Sequence, residues 1–301
     1  MRNSFVKTLF EEASADENIV LITGDLGFQL FDDFAINLPK QFINAGLTEQ
    51  TMMSMAAGIA STGKRVFVYS IANFSTFRCL EQIRNDVCYM DNPVVVVSVG
   101  AGFSYGTLGY SHHAIEDLAV MRSLPNMDVI SPCDKFETEI LTRVIARTTK
   151  PTYLRLGKSG EPLIHNTPPE ISRGKFINVS KGTKGYIFFT GSVGILAMEA
   201  KKILDSHKID VEILSVPFVS NLDEEYLKSI NTHLPIVVLE EHSSRAGLGS
   251  AFLETLNKLG KYSKISHIAA SQNEISLTGS QEFLKLQNGI SVDKIINEFI
   301  H

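Results

Sequence analysis

Residues 42–77, FINAGLTEQTMMSMAAGIASTGKRVFVYSIANFSTF, hold in order a short apolar run, a glycine turn, a helix, a second apolar run and an aromatic cluster. Phe42-Ile43 reads as a strand closed at Gly46. Thr48 is placed to cap the helix that follows, its hydroxyl accepting a bond from a first-turn N–H. Glu49 opens that helix ahead of Thr51-Met52-Met53-Ser54-Met55-Ala56-Ala57, and it is the only ionisable side chain between Lys40 and Lys64. Two readings of Glu49 are open at this point. It is an acid favoured by the helix dipole, or a carboxyl group held in apolar surroundings, its pKa raised so that it exchanges a proton with a ligand. Arg65–Ser70 is the next strand, so strand, helix and strand follow one another as in a parallel α/β sheet.

The same alternation extends in both directions. Upstream, residues 2–15 form an amphipathic helix and Ile19–Thr23 a buried strand. A turn at Asp25-Leu26-Gly27 follows, and residues 28–39 carry aromatics without a clean period. Downstream, Thr76–Cys88 repeats apolar residues at helical spacing, and Val94–Val99, rich in β-branched residues, has the look of a central parallel strand. A glycine-rich loop, GAGFSYGTLGYSHH, leaves that strand; a helix over 114–123, a strand at 128–130, a helix over 136–148 and a strand at 152–156 complete a first unit. Glycines and prolines between Gly157 and Gly174 interrupt the pattern. It resumes with strands near 185–190, 211–215 and 236–239 and helices over 193–206, 223–231, 247–260 and 291–300. The expected organisation is two doubly wound α/β domains, residues 1–160 and 184–301, joined by a linker at 161–183.

Composition narrows the function. A net charge of −5 argues against a nucleic-acid or anionic-membrane surface. No apolar run approaches the length of a membrane span, and the N-terminus lacks a signal-peptide core. Three cysteines without CxxC spacing favour neither a disulfide framework nor a zinc site, and no other ligand set for a metal stands out. A cytoplasmic protein is expected.

Several local motifs fail on spacing. Gly100 and Gly102 follow a hydrophobic strand, but the next glycine is Gly106, one residue late for GxGxxG. TGSVG at 190–194 is an ordinary strand–turn–helix glycine pattern. Ser111-His112 has no GxSxG elbow near it. What remains is a combination: Glu49 on a first helical turn, Phe74 and Phe77 after one strand, and His112-His113 in the loop after another. In a parallel sheet such loops gather at the carboxyl edge, where ligands bind.

These segments resemble the C-terminal half of transketolase and its relative 1-deoxyxylulose-5-phosphate synthase. The resemblance rests on GDL at 24–26, AGLTEQ around Glu49, NFSTF at 73–77, SHHAIEDLAVMRSLPNMDVISPCD at 111–134, PTYLRLGKSGEP at 151–162 and LEEHSSRAGLGSAF at 239–252. It implies a pyrimidine-binding domain followed by a transketolase C-terminal domain, working with thiamin diphosphate. Glu49 matches the carboxylate that shares a proton with N1′ of the cofactor's aminopyrimidine. Phe74 and Phe77 match aromatics that enclose that ring. Asp25, in the GDL segment, counts with them as a cofactor-site residue, and His112 matches a histidine bonded to the donor sugar's oxygens. Lys158 and Arg2 align with phosphate-binding positions, and Gln29 with a substrate-contacting one.

Departures from the family pattern shape the expectation. The GDG motif of the diphosphate- and metal-binding domain is absent, so the resemblance implies a split enzyme. A separate N-terminal transketolase subunit would hold the diphosphate and Mg²⁺, and two such pairs would make an α2β2 heterotetramer. Leu108, Gly100 and Gln29 replace an Asp, a His and a Ser that contact sugar-phosphate substrates in the family, so a modified, branched or unphosphorylated sugar acceptor is admitted. The expected activity is transfer of a two-carbon ketol unit from a ketose, phosphorylated or not, to an aldose. The alternatives are the beta subunit of a 2-oxoacid dehydrogenase and a non-catalytic stabilising subunit.

Overall fold

The computed structural model describes residues 1–271 and 276–300. The first sheet contains β1 (Ile19–Thr23), β2 (Phe42–Asn44), β3 (Arg65–Ile71), β4 (Val94–Val99), β5 (Asp128–Ile130) and β6 (Thr152–Leu156), in the order β2-β1-β3-β4-β6-β5. Every pairing in it is parallel. The chain steps from β1 outward to β2 and then crosses to β3 on the other side. The direction of winding therefore reverses between β1 and β3, which is where open α/β sheets bind ligands.

Alternation along each strand assigns the two faces. Val20, Ile22, Val66, Val68, Val94 and Val96 pack with Met52, Met53 and Ala56 of α3 (Glu49–Ala60), which follows α1 (Arg2–Ala15) and α2 (Asp32–Asn37) in the chain. Their neighbours Leu21, Phe67, Val95 and Val97 pack on the opposite face, with Phe5 and Leu9 of the first helix and Leu141 of the helix Lys135–Ile145. Both faces are covered, which explains why these strands read as continuous apolar runs.

The second sheet runs β11-β10-β8-β9-β7, from β7 (Ile177–Ser180), β8 (Tyr186–Thr190), β9 (Glu212–Ser215), β10 (Ile236–Ser243) and β11 (Ile265–Ala270). β7 pairs antiparallel with β9 and the other pairings are parallel. β7 falls inside the stretch expected to be linker. The prolines that prevent pairing end at Pro169, so residues beyond Arg173 are free to add an edge strand. The earlier part of the stretch is also fixed, since the Ile164 and His165 N–H groups donate to Asp134 Oδ2 at 3.1 and 2.8 Å.

Two further local expectations are corrected. Thr48 precedes α3 without capping it, because its hydroxyl donates back to the Ala45 carbonyl at 2.7 Å. Residues 76–88 form no continuous helix. After a single turn at Ala72–Ser75 come a 3₁₀ turn at Phe77–Cys79, one α turn at Leu80–Gln82 and a π-helical segment at Ile83–Tyr89. No helix among the described residues is long and apolar enough to cross a membrane.

Candidate active site

The segments after β1, β2, β3 and β4 build two adjoining clusters at the carboxyl edge of the first sheet. The first centres on Glu49. Its carboxylate is buried, and Oε2 accepts a bond from Arg78 Nη1 at 2.7 Å. The Arg78 guanidinium also stands over the Phe74 ring, 4.6 Å from its centroid. On another side Phe74 meets His112 edge to face, with ring centroids 5.3 Å apart. Glu49, Phe74 and His112 are thus linked through direct contacts although each follows a different strand. Phe77 lies beside them on a cavity of about 380 Å³ that it shares with Asn73, Tyr110, Ser111 and Glu116.

Asn73 is one of the side chains that fix the His112 loop. Asn73 Nδ2 donates to the carbonyls of Ser111 at 2.9 Å and His113 at 3.0 Å. The ring of the neighbouring His113 is buried against Phe103, and its Nε2 bonds the Gly106 carbonyl at 3.1 Å. His112 Nδ1 lies 3.0 Å from Ser111 Oγ, which leaves Nε2 available to another group. Burial, with a smaller contribution from His113, holds the His112 pKa below its ordinary value, so the ring is neutral near pH 7.

The second cluster surrounds a cavity of about 370 Å³ at the reversal between β1 and β3. Arg2, Gln29, Tyr69 and Tyr105 contribute its polar groups, and Leu26, Ile71 and Val99 much of its apolar wall. Tyr105 joins the two clusters: it lines the second cavity with Arg2, and its ring lies 6.5 Å from that of His112. The ring folds back over Gly100. A Cβ there would stand 2.4 Å from two Tyr105 carbons, and Gly100 has a φ of +100°. Glycine is thus required at that position on both counts.

Of the residues singled out in the sequence, Glu49, Phe74, Phe77 and His112 come together, and Arg2 and Gln29 share the second cavity. Asp25 and Lys158 stand apart from both. Asp25 is exposed, with Oδ1 accepting from Asn44 Nδ2 at 3.1 Å. Lys158 is exposed and meets this region through its main chain, its carbonyl accepting the Arg2 N–H at 3.1 Å. Asn73, Arg78 and Tyr105 were not singled out. Arg78 carried a signal in its position four residues beyond Phe74, which on any helical backbone returns it to the same side.

Among the described residues one set of potential metal ligands converges, Cys133, Glu137 and His165, all buried. Glu137 is already engaged there, accepting from the Cys133 N–H at 2.9 Å and lying 2.8 Å from His165 Nε2. The set fastens the segment after β6 to the helix Lys135–Ile145.

The chain thus pairs a parallel sheet, with a buried carboxylate, two phenylalanines and a histidine at its carboxyl edge, with a second α/β domain. The family models for the transketolase pyrimidine-binding domain and the transketolase C-terminal domain match residues 1–161 and 174–295. The chain belongs to the transketolase family and is the C-terminal part of a split transketolase. It is 35% identical over 260 residues to one of the subunits of an apulose-4-phosphate transketolase from Phocaeicola vulgatus, covering 85% of this chain and 83% of that one. It is 35% identical over 305 residues to a putative transketolase C-terminal section of Methanocaldococcus jannaschii, covering 99% and 95%. Among solved structures, a split-gene transketolase described as an inactive β4 tetramer superposes with a TM-score of 0.87 at 30% identity, covering 99% of this chain and 96% of that one.

Proposed function

We propose that this chain forms the pyrimidine side of a thiamin-diphosphate site, and that together with an N-terminal transketolase partner it transfers a two-carbon ketol unit from a ketose donor to an aldose acceptor. The observation that carries the reading is the convergence of buried Glu49, Phe74 and His112 at the carboxyl edge of one sheet. These residues fit the cofactor's ring: a carboxylate for a ring nitrogen, aromatic surface for a flat heterocycle, and a neutral imidazole beside them. When bound, thiamin diphosphate supplies the carbon centre that accepts the ketol unit and hands it on. Glu49 would hold the proton at N1′. Phe74 and Phe77 would exclude water and orient the ring. His112, through Nε2, would bond the donor's oxygens. Asp25, exposed and bonded to Asn44 outside this cluster, is assigned to the cofactor only by the family resemblance.

The partner would supply the diphosphate and Mg²⁺ ligands, in a heterotetramer of two such pairs. The related split-gene structure described as an inactive β4 tetramer favours a requirement for the partner. The division of labour between residues 1–160 and 184–301 belongs to the same proposal, with the first unit carrying the site. The buried, unpaired Cys79, Cys88 and Cys133 suit a reducing compartment such as the cytoplasm.

The second cavity is the proposed sugar site. Arg2 gives it a cation, Gln29 an amide and Tyr105 a phenol, while Lys158 stays outside its wall. Tyr105 fills the room in front of Gly100, which favours an acceptor different in shape from the linear pentose phosphates. The relative from Phocaeicola vulgatus is named for apulose 4-phosphate, and a branched sugar phosphate of that kind is the first candidate. The test is co-purification with the partner, followed by a screen of ketose donors and aldose acceptors with thiamin diphosphate and Mg²⁺. Ketol transfer by this chain alone would refute the split-site reading.

A further inference from the structure

We infer that Arg78 competes with the cofactor's pyrimidine: in the chain by itself the guanidinium fills the place between Glu49 and Phe74 that the ring must take. The inference rests on the thiamin reading of the site. One guanidinium makes both contacts, 2.7 Å from Glu49 Oε2 and 4.6 Å above the Phe74 ring. A flat ring bonded to the Glu49 carboxylate and stacked on the same face of Phe74 would occupy that volume. A planar cation is a close mimic of such a ring, since it donates to a carboxylate and lies on an aromatic face.

The two partners differ in their freedom to move. Glu49 is 4% exposed, whereas the Arg78 side chain is 49% exposed. Among the described residues Glu49 is its one hydrogen-bonded partner. Arg78 sits in the 3₁₀ turn Phe77–Cys79, between the turn that carries Phe74 and the segment packed against α3. The guanidinium can therefore swing to solvent without disturbing the core, while Glu49 stays where it is. Until the ring arrives, the buried carboxylate keeps a partner, which avoids the cost of an isolated charge.

The competition is measured by titrating thiamin diphosphate, with Mg²⁺ present, into this chain assembled with its partner. Wild type, Arg78→Ala and Arg78→Lys are compared by calorimetry. Arg78→Ala is expected to bind about three- to tenfold more tightly, the worth of a half-exposed ion pair together with a cation–π contact. Arg78→Lys, which keeps a charge but not the planar group, falls between the two. Circular dichroism checks that each variant is folded, and Arg78→Lys serves if alanine is not tolerated. Equal or weaker binding by the folded variants overturns the proposal, weaker binding meaning that Arg78 holds the cofactor rather than standing in its place. No binding by any of the three, wild type included, removes the thiamin reading and the proposal with it, so the two failures are distinct.

Discussion

Arg155 and Asp117, both buried, meet in a two-point ion pair, Nε to Oδ2 at 2.7 Å and Nη2 to Oδ1 at 3.2 Å. The same Arg155 Nη2 donates to the carbonyls of Ala114 at 2.7 Å and Glu241 at 3.0 Å. One guanidinium on β6 thus ties together the end of the His112 loop, the helix that follows it, and β10 of the second domain. Tyr153 adds its hydroxyl to Asp117 Oδ2 at 2.6 Å. Replacing Arg155 with methionine leaves Asp117 buried without its counter-charge. The expected loss is about 3–5 kcal/mol of stability, read from urea denaturation. A loss below about 1 kcal/mol would mean that the pair contributes no more than an exposed one.

Glu49→Ala removes the proposed proton partner of the cofactor. Ketol transfer by the assembled pair should fall by about two orders of magnitude or more, the scale of general acid–base contributions. Size-exclusion profiles should match the wild-type complex. An unchanged rate would end the catalytic role proposed for Glu49.

Arg2 and Lys158 make opposite predictions although the family resemblance suggests phosphate binding for both. Arg2 lines the second cavity, and Lys158 offers it only a main-chain carbonyl. Arg2→Ala should raise KM for a phosphorylated acceptor roughly tenfold, as expected for losing a charge-assisted bond. Lys158→Ala should leave KM within about twofold on the same scale. Steady-state kinetics with the assembled pair separates the two, and the reverse ranking would move the sugar site.

His165 predicts a pH effect on stability. Burial works against its charged form, but the bond to Glu137 and the charges of Glu137 and Asp134 outweigh burial, and its pKa lies above the ordinary value. A folded-state pKa above the unfolded one stabilises fully below the unfolded value, near 6.5, and the benefit is lost as pH rises through the folded value. The stability gap between wild type and His165→Gln should therefore be widest near pH 5.5 and shrink steadily above pH 7. Thermal melts across that range test it, and a gap that grows with pH would reverse the sign assigned here.

Gly100→Ala probes the wall between the clusters. An added methyl meets the Tyr105 ring at 2.4 Å on a backbone with φ at +100°, so the variant should lose about 1–3 kcal/mol. Tyr105 is displaced with it, and KM for the acceptor should shift even where the protein still folds. A thermal midpoint equal to wild type would show that the ring moves aside freely.

Much of this was legible in the sequence because it depends on local order. Strand runs, glycine turns and helix spacing are set by neighbouring residues, and a parallel sheet followed by a second, largely parallel one follows from their alternation. Glu49, Phe74, Phe77 and His112 stood out because each follows a strand of a parallel sheet, and the resemblance to transketolase gave them their expected roles. The ion pair of Arg78 with Glu49 was not legible, because it joins residues 29 positions apart across a break in helical geometry. β7 was obscured by the prolines just before it. Thr48 looked like a cap because composition reports residue type and not which way a hydroxyl turns. The roles of Arg2 and Lys158 diverged for a similar reason: charge is visible in a sequence, but the wall a side chain joins is not.

The contact between Glu241 and the 100–106 loop has a consequence for building hybrid enzymes. Glu241 Oε1 accepts the Phe103 N–H at 2.7 Å, and a side chain at Gly102 would strike that carboxylate at 2.5 Å. The Gly106 carbonyl accepts the Gly279 N–H at 3.3 Å. The second domain therefore acts as a template against which the histidine loop of the first is moulded. A chimera that exchanged everything beyond residue 174 for a relative's sequence would fit a foreign template to a native loop, and turnover would suffer although every proposed site residue had been kept. Recombination that preserves activity would have to transplant residues 100–116 together with the second domain, placing the workable crossover at the end of β4 and not among the prolines between the domains.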